Sequence, residues 1–129
     1  MLSATVKIRH IRVSPKKMVL LASAIQKKSL EQARFIVNNC GKGYKEHFLH
    51  ALSNAESIIK EKSPDAKNLI VENVIVNQGA RLRRQRAGAR GYSNTYKHQM
   101  SHLSLTLSET PHSNETSESD KKEKNGSQN

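Results

Sequence analysis

An α+β domain with a long basic β-hairpin is the fold this sequence predicts, and three observations carry it. Residues 5–13 and 103–108 alternate between apolar and polar, as half-buried strands do, and the β-branched stretch 69–77 supplies a third strand. Three runs between them repeat their apolar residues at helical spacing. Residues 73–108 contain no Asp or Glu, yet five arginines crowd into ten positions there. The expected architecture is three helices packed on a small three-stranded antiparallel sheet, with a projecting β-hairpin over about residues 78–101. Residues 1–109 then form one domain, followed by a disordered C-terminal tail at 110–129.

Each element has a local cause. In the first strand Val6 and Ile8 point one way and Lys7 and Arg9 the other. Ser14-Pro15 starts the first helix: serine is a good N-cap, and proline's missing N–H costs nothing in the first turn. Met18, Leu21, Ala22 and Ile25 form its apolar face. Ser29 with Gln32 is a capping-box pattern for the second helix, whose stripe is Ala33, Ile36, Val37 and Cys40, with Gly41 or Gly43 to end it. The third helix spans about residues 44–62, turns Phe48, Ala51, Leu52, Ala55 and Ile59 inward, and stops at Ser63-Pro64-Asp65. Leu103, Leu105 and Leu107 alternate with Ser104, Thr106 and Ser108 in the last strand.

The arginines lie between the last two strands, in the run Arg81-Leu82-Arg83-Arg84-Gln85-Arg86-Ala87-Gly88-Ala89-Arg90-Gly91-Tyr92. The simplest path is a hairpin with its base in the sheet and its turn near residues 87–91. Each arm of about 17 residues reaches roughly 55 Å when extended at ~3.3 Å per residue, so it must project from a small domain. An isolated two-stranded ribbon is marginal in water, so the arm is expected to be mobile alone and ordered by a partner. The turn packs into no core, so bulky residues at Gly88 or Ala89 are expected to leave folding intact.

Charge points to the kind of partner. The chain carries 22 Lys+Arg against 11 Asp+Glu, a net charge of +11. Residues 109–129 hold five acids and three lysines, so residues 1–108 carry +13. A one-sign surface of that density expects a polyanion, and nucleic acid is the first reading. A membrane partner is not expected, because no segment approaches the ~20 apolar residues of a spanning helix. Only 35% of residues are hydrophobic and 4% aromatic, so the core is small. The single cysteine, Cys40, excludes an internal disulfide and fits a reducing compartment. Residues 1–4 show no targeting segment. No large apolar residue follows Leu107, which is why residues 110–129 read as disordered.

Arginine forks onto phosphate oxygens and lays its plane on unstacked bases, whereas lysine acts as a point charge. Arg81, Arg83, Arg84, Arg86 and Arg90 suit a narrow path through folded RNA, and Gly88 and Gly91 permit tight turns. Tyr92 and Tyr96 either stack on bases or cover the ribbon. Lys97 and His98 extend the RNA-facing set on the returning strand. Lys7, Arg9, Arg12, Ser14, Lys16 and Lys17 form a second group at the strand–helix junction, read as RNA contacts or as a solvated face.

At these residues the chain resembles the bacterial-type large-subunit ribosomal protein L twenty-two family. The resemblance covers roughly residues 4–109. It is carried by Arg12-Val13-Ser14-Pro15-Lys16-Lys17, Ser53-Asn54-Ala55-Glu56, Gly79 at the hairpin entrance, Ser101-His102 before the final strand, and Ser108-Glu109 at its end. It implies a structural constituent of the large ribosomal subunit that binds large-subunit ribosomal RNA. It also implies a hairpin tip, at Ala87, Gly88, Ala89, Arg90 and Gly91, that lines the nascent-peptide exit tunnel. The implied partners are that RNA, neighbouring large-subunit proteins near the tunnel and the nascent peptide. The implied location is a bacterial cytoplasmic ribosome or that of an organelle of bacterial descent. The family often has Pro and Arg where this chain has Ala87 and Gly88, and Arg where it has Tyr92, so this tip is less charged and more flexible.

Other chemistry finds little support. No nucleophile–base pair, phosphate loop or cofactor motif is present, so no enzyme, catalytic residue or cofactor is expected. His47 and His50 share a helix face, but no carboxylate or thiol completes a metal site. His98 and His102 read as RNA contacts or strand-surface residues, Cys40 as a core residue, and Glu56 as a cap or ion-pair member. A helix-turn-helix DNA regulator using residues 29–62 is the alternative binding module, and an RNA-modifying enzyme is the third class. Against the first stands the clustering of basic residues on the hairpin rather than on the third helix, and against the second the lack of an acid–base constellation or cofactor site.

Overall fold

The computed structural model describes residues 2–109, and the segment 110–129 expected as a tail lies outside the described residues. The chain runs β1 (Ser3–Ile11), α1 (Pro15–Ile25), α2 (Leu30–Asn39), α3 (Lys45–Lys62), β2 (Leu69–Ala87), a short 3-10 turn (Ala89–Gly91) and β3 (Ser93–Glu109). The α+β class is borne out: three helices cover one face of a three-stranded antiparallel sheet of order β1-β3-β2.

The last strand sits in the middle of the sheet, and its three leucines face apolar residues of both neighbours. Leu103, Leu105 and Leu107 are fully buried, with Ile8, Val6 and Ala4 of β1 opposite on one side and Val76, Val74 and Val71 of β2 on the other. Against this face pack the helical stripes, with Met18, Ile25, Val37, Phe48, Leu52 and Ile59 fully buried. Truncating Phe48 to Ala would cost about 3–5 kcal/mol, because the cavity cannot fully collapse. Cys40 is half-buried at the edge of the core with a free thiol.

The helix starts follow the sequence more closely than the caps do. Ser29 Oγ accepts from the Gln32 N–H at 3.3 Å, as expected. Ser14, by contrast, makes no side-chain cap. Its carbonyl accepts from the Lys17 and Met18 N–H groups, and Pro15 has no N–H to cap. The second helix stops before either glycine. Cys40 turns extended, its N–H donating to the Ile36 and Val37 carbonyls, and neither Gly41 nor Gly43 takes a positive φ.

β1 also ends two residues short of the expected boundary. Between Ile8 and Ile11 it bulges, with His10 at φ 58°, and the Val13 N–H then donates back to the Ile11 carbonyl at 2.8 Å. On the other edge, the α1–α2 connection covers the start of β2. The Lys27 N–H donates to the Val71 carbonyl at 2.8 Å, and the Val71 N–H to the Lys28 carbonyl at 2.9 Å. That pairing protects a strand edge that would otherwise template association.

One ion-pair node joins the helices. Glu56 on α3 takes Arg34 of α2 and, at 2.7 Å, Lys60 one turn on. The Lys60 hydrogen bond leads in holding the Glu56 carboxyl below the usual carboxylate range, burial opposes it, and Arg34 adds to the lowering. Glu56 is therefore the ion-pair member anticipated above, and it belongs to the domain's architecture.

Candidate nucleic-acid interface

Beyond the Ile11–Ser101 pair, β2 and β3 continue as a two-stranded ribbon from Gln78/Ser101 to Ala87/Ser93. Ten residues on β2 against nine on β3 give an arm of roughly 30 Å at ~3.3 Å per residue. The ribbon leaves the sheet through a bulge at which Gly79 and Ala80 oppose Met100 alone. Glycine is favoured there for space: a Cβ at Gly79 would lie 3.1 Å from the Met100 carbonyl carbon and oxygen and 3.2 Å from the His102 ring, tighter than an ordinary contact. His102 braces the same junction from the central strand. Its Nδ1 accepts from the His10 N–H at 3.0 Å, and the two rings meet edge to face at 4.9 Å. Behind it, buried Ser101 donates to the Met18 sulfur at 2.8 Å. The arm thus springs from a base fixed to the core, and His102 serves that base.

The bulge sets which residues share a face, because one extra residue shifts the alternation by one. Before it, the even-numbered Val74 and Val76 oppose Leu105 and Leu103 on the core side. After it, the odd-numbered residues take that side: Arg81 opposite Gln99, Arg83 opposite Lys97, Gln85 opposite Thr95 and Ala87 opposite Ser93. The other side carries Leu82 opposite His98, Arg84 opposite Tyr96 and Arg86 opposite Asn94. There the Arg86 guanidinium carbon lies 5.6 Å from the Tyr96 ring centre, and His98 meets Tyr96 edge to face at 5.3 Å. All five arginines, Tyr92, Tyr96, Lys97 and His98 are exposed.

The strands close through a tight tip. The Gly88 N–H donates to the Tyr92 carbonyl at 2.6 Å, and the Tyr92 N–H to the Ala89 carbonyl at 3.3 Å. Arg90 and Gly91 both take left-handed backbone, φ 56° and 72°. For arginine this costs about 1 kcal/mol, so its place at the apex is set against local preference. The expectation that any bulky residue is harmless at the tip needs correction. A Cβ at Gly88 would come within 3.0 Å of the Tyr92 carbonyl oxygen, so a side chain there disturbs the turn itself. Ala89 already carries a Cβ and is exposed.

The second basic group is spread over one junction. Lys7 and Arg9 alternate with the core-facing Val6 and Ile8 of β1, so they lie on the sheet face away from the helices. Arg12 follows the strand, and Lys16 and Lys17 occupy the first turn of α1, all exposed, with Ser14 half-buried. No group of three His, Cys, Asp or Glu suited to a metal occurs among the described residues. No helix there is long and apolar enough to cross a membrane.

The family model for ribosomal protein L22p/L17e matches residues 6–108, which include every strand and helix above except the strand ends. The chain belongs to that family. Among its relatives is the large ribosomal subunit protein uL22 of Desulfosudis oleivorans, 37% identical over 106 residues, covering 78% of this chain and 89% of that protein. The uL22 proteins of Mycoplasmopsis agalactiae and Syntrophus aciditrophicus are 34% and 32% identical, covering 82% and 84% of this chain and 92% and 99% of theirs. The resemblance drawn from short motifs is therefore borne out at the level of family.

Two parts of the interface escaped the sequence reading. Leu82 was passed over, although it pairs with His98 beside Tyr96. His10 was given no role, although its N–H and ring secure His102. The signal available for Leu82 was its place as the sole large apolar residue in an arginine run.

Proposed function

We propose that this protein is a structural constituent of the large ribosomal subunit, in a bacterial cytoplasm or an organelle of bacterial descent. It binds large-subunit ribosomal RNA through its arm and, secondarily, through the β1–α1 junction. The observation that carries the reading is the Arg83–Lys97 cross-strand pair. Like charges directly opposite in a ribbon repel, and the ribbon has no core of its own to offset that. Such a pairing is favourable once phosphates lie along it. Membership of a ribosomal protein family supports a structural rather than catalytic role. The tip, with Ala87, Gly88, Ala89, Arg90 and Gly91 farthest from the core, borders the nascent-peptide exit tunnel and contacts neighbouring large-subunit proteins there.

A regulator that reads duplex DNA with α3 fits less well. The apolar face of that helix is buried, and its remaining residues mix Glu46 and Glu61 with Lys60 and Lys62. The deciding experiment is sucrose-gradient sedimentation of a cell lysate. The protein should run with the large subunit and stay there through a moderate salt wash. Sedimentation with free protein, or release at low salt, would remove it from the particle.

A further inference from the structure

The arm has two chemically different faces, and neither difference is visible in the order of residues along the chain. One face carries Arg81, Arg83 and Lys97 among Gln85, Thr95 and Gln99, with no aromatic and no large apolar side chain. The other carries Leu82, Tyr96 and His98 together with Arg84 and Arg86. On that second face Tyr96 is 41% exposed although Arg86 and His98 both lean on it, so ring surface remains open to solvent.

We infer that the two faces bind RNA in different ways, the Arg81–Arg83–Lys97 face tracking phosphates and the Tyr96 face stacking on unpaired bases. The inference rests on the reading of the arm as an RNA-binding element and assigns chemistry within it. Phosphates call for positive charge and hydrogen-bond donors, and a side bearing cations, amides and the Thr95 hydroxyl offers both. An unpaired base needs a flat, partly apolar platform, and an aromatic ring beside the Arg86 guanidinium and the His98 ring offers that. A ring that served only to cover the ribbon would need bulk but no π-face, which makes the two roles separable.

The experiment uses full-length protein titrated onto bacterial large-subunit ribosomal RNA at several salt concentrations between about 50 and 200 mM. Three variants are compared: Tyr96→Phe, Tyr96→Leu and the double variant Arg83→Gln/Lys97→Gln. Tyr96→Phe keeps the π-face and should bind like wild type. Tyr96→Leu keeps apolar cover but loses the ring, and should bind on the order of 10-fold more weakly with an unchanged salt slope. The double variant should flatten the slope by roughly 1.4–1.8, two phosphates' worth. Wild-type binding by Tyr96→Leu, with the double variant still flattening the slope, overturns the face assignment and leaves the arm as an RNA-binding element. A slope change in Tyr96→Leu matching the double variant also overturns it, because the faces would then act alike. Wild-type behaviour by all three also overturns the assignment, and the arm's role in binding then rests on its remaining arginines.

Discussion

Replacing Arg83, Arg84 and Arg86 together by Ala should change the salt dependence of RNA binding far more than it changes the fold. All three side chains are exposed on the arm, and none belongs to an ion pair with a carboxylate among the described residues. A guanidinium keeps its charge whether it tracks phosphates or lies beside a stacked base, so if each offsets one phosphate charge, each contributes roughly 0.7–0.9 to the slope of log affinity against log salt, the lower value for single strands. The triple variant should therefore lose about 2–3 from that slope. Over a fourfold rise in salt, from about 50 to 200 mM, its deficit relative to wild type should shrink by roughly 20- to 40-fold. The free protein should keep its melting temperature, since surface substitutions away from packed features usually stay within about 0.5 kcal/mol. Removing Arg83 also relieves its repulsion from Lys97. Filter binding across the salt range, with thermal melting alongside, measures both quantities. A slope equal to wild type would take the arm's arginines out of the binding mechanism. A melting temperature lowered by several degrees would show instead that they hold the fold.

Three further outcomes follow from particular residues. Glu56→Gln should cost about 1–2 kcal/mol by leaving Arg34 and Lys60 without their carboxylate, about the value of hydrogen bonds to a charged group at a partly exposed site. Because those partners hold the native carboxyl below the ordinary glutamate range, wild type should lose this contribution as pH falls through that lowered value, while the variant should not; equal acid sensitivity of the two in denaturant melts would contradict the node. Hydrogen exchange of the free protein should be slow in α3 and at Leu103, Leu105 and Leu107, and fast over residues 80–98, with the arm becoming protected on assembly; an arm already protected in isolation would sink the idea that RNA orders it. Ala89→Trp should fold and assemble normally, because Ala89 is exposed at the turn, yet alter macrolide susceptibility and stalling at tunnel-sensing peptides; unchanged responses, with the Trp confirmed in the particle, would move the tip away from the tunnel.

Periodicity is a local property, and what depends on it was legible in the residues. The alternation of Leu103, Leu105 and Leu107 marked a one-sided strand, and helical spacing marked Met18 to Ile25 and Phe48 to Ile59 as buried stripes. The arginine run located the candidate interface, because an excess of one charge needs no fold to be recognised. Turn residues and the two flanking strands were enough to place the hairpin's tip within residues 87–91.

Register was beyond that reach, because it depends on which residue of a distant strand lies opposite. The bulge at Gly79 and Ala80 shifts the arm's alternation by one, and so decides that Arg84 and Arg86, rather than Arg81 and Arg83, share a face with Tyr96. The same long-range pairing puts Ser101 against Met18 and His102 against His10, contacts separated by 83 and 92 residues. It also draws Glu56 to Arg34 across two helices. The sequence by itself determined the elements, the buried stripes and the basic arm. Only the tertiary structure decided which faces the arm presents and what anchors its base, because strand pairing and side-chain contact are set by closing the chain over long separations.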